Sequence, residues 1–65
     1  MNVYWVYGHI VTTGSKCKYY IQAGHVLEAI CKAYEIGGKF YTLDNVWNKD
    51  HSVLMADKIR IYNKV

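Results

Sequence analysis

No stretch of this chain approaches the roughly 20 consecutive apolar residues of a membrane span, and Met1-Asn2-Val3-Tyr4-Trp5 shows no basic segment leading into an apolar run. A soluble, cytoplasmic protein with no membrane partner is therefore expected. Cysteine is scarce, and Cys17 and Cys31 form neither a C-x-x-C pair nor a disulfide-dense pattern. Both are expected to be reduced thiols buried as small apolar residues. Proline is absent, and a single arginine stands against seven lysines among many Tyr, Asn and Ile. That usage suggests an AT-rich genome, as in low-GC bacteria and their phages.

The residues of chemistry are equally sparse. A metal site needs three or four converging ligands, but His9, His25 and His51 are spread over a strand, a helix start and a turn. A cysteine or serine nucleophile needs a base and an orienting group within reach. Cys31 with His25 or His51, and Asp44 or Asp50, form no such spacing. Gly24 alone precedes the helix, and Gly37-Gly38 follow it at the end whose dipole disfavours an anion. The expectation is a protein without enzymatic activity, metal or cofactor.

Charge of one sign is also never concentrated. Eight Lys and Arg against five Asp and Glu leave +3, scattered from Lys16 to Lys64. Nucleic-acid-binding domains show a clustered patch or stripe instead.

Apolar side chains, at 52%, and seven tyrosines are what the chain does have. Residues 1–65 are expected to make one compact domain, near the lower size limit for folding without staples. Oligomerisation is one way to complete so small a core.

The strongest local pattern is a hairpin from Val3–Thr13 through Gly14-Ser15 to Lys16–Ala23. A two-residue turn with positive φ at Gly14 places Thr13 opposite Lys16. Side chains alternate between faces. One face then carries Val6, Gly8, Ile10 and Thr12 with Cys17, Tyr19, Ile21 and Ala23, and reads as core. The other carries Val3, Trp5, Tyr7, His9 and Val11 with Lys18, Tyr20 and Gln22.

Gly24–Ile36 reads as an amphipathic helix with Val26, Leu27, Ile30, Ala33 and Tyr34 inward and a Glu28–Lys32 pair outward. Gly37-Gly38 ends it. Phe40–Leu43 and Ser52–Met55 read as a hairpin around the polar turn Asn48–His51. Lys58–Tyr62 alternates as a last strand, with Ile59 and Ile61 inward, after a corner at Ala56-Asp57. The fold expected is α+β: a small antiparallel sheet in the order β-β-α-β-β, with room for one extra short strand, and a single helix on one face. Gly8 is expected to let the helix backbone come close.

One helix covers one face of such a sheet, and the uncovered face is normally polar. Here it would be aromatic. Trp5, Tyr7, His9, Lys18 and Tyr20, extended by Arg60 and Tyr62, are the candidate partner-binding residues, since exposed aromatic patches mark interfaces. The functional expectation is a small interaction module that self-associates or binds a protein, for example a phage-type or low-GC bacterial regulator or inhibitor. The alternative is a single-stranded nucleic-acid binder that stacks bases on the same face. Two bland alternatives stand beside these. The second half of the chain folds over the aromatic face, with Val46, Trp47 and Met55 as cover, or a sheet edge is the interface instead.

Overall fold

Alternation on both sides of one helical segment produces β1 (Asn2–Ile10), β2 (Lys16–Ala23), α1 (Val26–Gly37), β3 (Tyr41–Asn48) and β4 (Leu54–Asp57). The computed structural model describes residues 1–62, so 63–65 of the expected single domain, Lys64 among them, lie outside the described residues. The strands form one antiparallel sheet in the order β2-β1-β3-β4, and the sequence-predicted α+β class holds.

The first hairpin pairs differently from expectation. Lys16 stands opposite His9, four residues earlier than Thr13. The loop is longer than two residues: Ile10 N–H bonds Ser15 O at 2.9 Å and Gly14 N–H bonds Ile10 O at 2.7 Å. Gly14 has the expected positive φ, 76°, but at the end of the loop. Because the displacement is an even number of residues, the side chains within the paired strands keep their predicted faces, while Val11, Thr12 and Thr13 fall in the exposed loop rather than on a strand. Tyr4, Val6, Ile21 and Ala23 are buried, whereas Trp5, Tyr7, His9 and Tyr20 are not.

The core lies between the sheet and α1, built from these residues with Val26, Ala29, Ala33, Tyr41, Leu43, Val46, Met55 and Ala56. The helix meets the sheet along Val26, Ala29 and Ala33, one turn or two apart, rather than along Leu27, which is 53% exposed. Tyr34, 41% exposed, still reaches β3, its hydroxyl accepting the Leu43 N–H at 3.1 Å. The two alanines bring it close, so Gly8 is not needed for that. Gly8 and Gly37 instead make room for Tyr41: a Cβ on either would run into the Tyr41 ring, and one on Gly8 also into Thr42 O. His25 caps the helix by accepting the Glu28 N–H, and Glu28 reaches back to Gly24 N–H at 2.8 Å. Gly38, at φ 87°, closes the other end with its N–H on Tyr34 O. Of the cysteines, Cys31 is exposed and Cys17 half-buried, so neither is the fully buried thiol expected.

Two irregularities shape the second half. In β3, Tyr7 pairs with Asn45 but Gly8 with Leu43, leaving Asp44 as an inserted residue. In β4, Met55 is inserted between the pairs Val46–Ala56 and Trp47–Leu54. The predicted last strand does not form as such. The chain turns sharply after β4 because Asp57 Oδ1 accepts the N–H groups of Ile59 and Arg60, at 2.8 and 3.1 Å. Ile61 still packs against the core through a single bridge to Ala56, but Ile59 is 88% exposed.

Candidate interaction face

The bulge at Asp44 decides what the open face carries. Tyr41 and Leu43 point into the core, so a regular β3 would send Trp47 there as well. The extra residue reverses the parity. Val46 becomes fully buried, and Trp47 lies across from Trp5 on the open face. With Tyr20 across from Trp5 on the other side and Leu54 across from Trp47, a row Tyr20–Trp5–Trp47–Leu54 runs over all four strands. A second row, Lys18–Tyr7–Asn45–Asp57, lies beside it.

The tip between β3 and β4 folds onto this surface. Asn48 organises it: its Oδ1 accepts Ser52 and Val53 N–H at 2.8 and 3.1 Å, and its Nδ2 donates to Ser52 Oγ at 2.9 Å. These bonds hold His51 in the left-handed region, φ 59°, a conformation histidine adopts more readily than most residues. Its ring stacks on Trp5 with centroids 5.4 Å apart and shares a 2.6 Å hydrogen bond with the Tyr7 hydroxyl. Trp5 Nε1–H donates to Lys49 O at 3.1 Å, and Trp47 Nε1–H to Asn45 Oδ1 at 3.0 Å. Tyr20 lies 4.4 Å from the Trp5 ring and Lys18 Nζ 5.1 Å from it. The rings of Trp5, Tyr7, Trp47 and His51 are thus held in place by their own polar groups, whereas Tyr20 rests on Trp5 and stays 52% exposed.

The face is therefore partly covered, though not by the residues expected. Val46 and Met55 belong to the core, Trp47 extends the aromatic surface, and the cover is His51 with Lys49. A shallow groove of about 400 Å³ remains, bordered by Tyr7, Lys16, Asn45, Trp47 and His51.

At the groove's end His9 Nδ1–H donates to Asp44 Oδ2 at 3.0 Å, and Lys58 Nζ sits 3.3 Å from Oδ1. The His9 hydrogen bond first, and Lys58 second, hold the Asp44 carboxyl below the usual carboxylate range. Asp57 is lowered as well, chiefly by the 2.6 Å bond from the Tyr62 hydroxyl and then by its two backbone donors.

Trp5, Tyr7, His9, Lys18 and Tyr20 are thus brought together on one face. Arg60 and Tyr62 are not: they lie beyond β4 at the far edge, with Arg60 against the Tyr62 ring at 5.7 Å. Sequence reasoning assigned Trp47 only as a cover and gave His51 no part in the surface. Neither the bulge nor the left-handed turn that places them has a pattern in the residues. Among the described residues no group of three or more His, Cys, Asp and Glu is placed to hold a metal ion, and no helix is long and apolar enough to cross a membrane. In comparisons with known proteins the chain matches no family model, no curated protein and no solved structure.

Proposed function

We propose that the protein is a non-enzymatic interaction module that docks a protein partner on the open face of its sheet. The observation that carries this reading is the row Tyr20–Trp5–Trp47–Leu54, an aromatic and apolar band on the side of the sheet away from the helix. A hydrophobic centre of Trp and Tyr rimmed by polar groups is the anatomy of a protein interface. Rings already oriented by their own hydrogen bonds lose little side-chain freedom on binding, which favours affinity.

The same geometry weighs against single-stranded nucleic acid. Base stacking needs an open ring face, but Trp5 already has Tyr20, His51 and Lys18 against it. A small inhibitor or regulator of another protein is the form of module this reading favours. The test is affinity purification of the partner from cells that express the protein, followed by calorimetry with purified partner. Tyr20→Ala and Trp47→Ala are each expected to weaken binding tenfold or more, with circular dichroism unchanged. Unaltered affinity in both would overturn the reading.

A further inference from the structure

We infer that the free edge of β2 takes up an extended, acidic segment of the partner protein as a fifth strand. This rests on the protein-binding reading above and specifies what the partner presents. The polarity of the edge follows from one bond. Ile10 and Ser15 are hydrogen-bonded across the hairpin, so Gly8–Cys17, Val6–Tyr19 and Tyr4–Ile21 are the bonded pairs that follow at intervals of two. The backbone groups of Lys16, Lys18, Tyr20 and Gln22 accordingly point away from β1. Two further observations agree. Lys32 Nζ reaches Gln22 O at 3.0 Å from outside the sheet, and Trp5 and Tyr20 have the close approach typical of a non-bonded pair.

Lys16, Lys18 and Tyr20 therefore combine outward N–H and C=O groups with side chains on the open face. The ladder that these groups need is what another strand supplies. Charge then selects the strand. On this face Asp44 is occupied by His9 and Lys58, and Asp57 by Tyr62 and two backbone amides. Neither Lys16 nor Lys18 is in an ion pair among the described residues. They stand two residues apart, the spacing at which alternate side chains of an added strand share a face. Carboxylates at alternate positions of the incoming segment would each meet a lysine.

Other occupants fit less well. A second copy of this β2 would bring two more lysines to the same strip, and like charges on neighbouring strands repel. A deoxyribose-phosphate backbone supplies acceptors for the amides but no donors for the carbonyls of Lys18 and Tyr20, and a ribose backbone supplies only its 2′-hydroxyls.

The experiment titrates the whole protein with a synthetic peptide alternating glutamate and threonine, beside its lysine–threonine counterpart and oligothymidylate, and reads amide hydrogen exchange residue by residue. The expected result is exchange at Lys18 and Tyr20 slowed tenfold or more by the acidic peptide alone. The Lys16→Glu, Lys18→Glu double variant should weaken that peptide's binding at least tenfold, since both positions are exposed and tolerate the change. Shifts confined to Trp5, Trp47 and His51 with unchanged edge amides would overturn the edge and leave the open-face reading standing. Edge protection that grows with protein concentration alone would assign the edge to a second copy. Binding of oligothymidylate with none of the acidic peptide would overturn both readings, and absence of all binding would overturn the acidic strand.

Discussion

Tyr41 shows how tightly single residues constrain this small core. Its ring occupies the space left by Gly8 and Gly37, meets Tyr34 edge-on at 5.2 Å, and lies 5.6 Å from Tyr19. Gly8→Ala would force the ring and the Thr42 carbonyl to move, and is expected to cost about 1–3 kcal/mol in urea unfolding. The Tyr41 hydroxyl is buried with no hydrogen-bond partner among the described residues, and burial pushes its pKa up. Removing an unsatisfied buried hydroxyl relieves its desolvation cost. Tyr41→Phe is therefore expected to raise stability by about 1 kcal/mol, read as a melting temperature higher by roughly 4–8 °C for a domain of this size. His9 and Asp44 give a pH dependence. A carboxyl lowered on folding adds stability that is present above its unfolded pKa of about 3.9 and is lost as pH falls through the lower folded value. In a carbon-detected NMR titration, His9→Ala should return the Asp44 pKa toward the ordinary range and flatten the acid limb of the stability profile.

At the scale of elements, what was legible in the sequence is what depends on period or on turn composition. The helix and the two faces of β1 and β2 follow from spacing, and the second-hairpin turn at Asn48–His51 from its run of polar residues. The hairpin faces survived an incorrect turn length because the displacement was even. Insertions into a strand carry no periodic mark, so the bulges at Asp44 and Met55 were not legible, and with them the place of Trp47. Lys58–Tyr62 misled for the opposite reason. It alternates cleanly, but Asp57 draws the next amides into a turn before a strand can run. The tip of the β3–β4 hairpin depends on Asn48. Asn48→Ala is expected to destabilise the protein by about 1–2 kcal/mol through its lost hydrogen bonds. It should also release His51 from Trp5, which tryptophan fluorescence would report.

For the molecule as a whole, the helix covers one side of the sheet, and the opposite face is what the proposed partner would occupy. The chain exposes 4302 Å². A standard interface buries about 800 Å² on each side, so one such contact would take close to a fifth of that surface. Light scattering at two protein concentrations is expected to give the mass of a single chain at both, since the lysines of β2 oppose self-pairing.

The two edges of the sheet are not equivalent. The outer side of β4 is closed by the chain's own last turn, with Tyr62 N–H on Met55 O at 2.9 Å and Asp57 N–H on Arg60 O at 3.0 Å. Among the described residues only β2 remains open. A subunit with one open edge has a valency of one. Strand addition to it makes a pair and then stops, so a fold with a single open edge is also a chain terminator for sheet growth, unable to propagate a fibre.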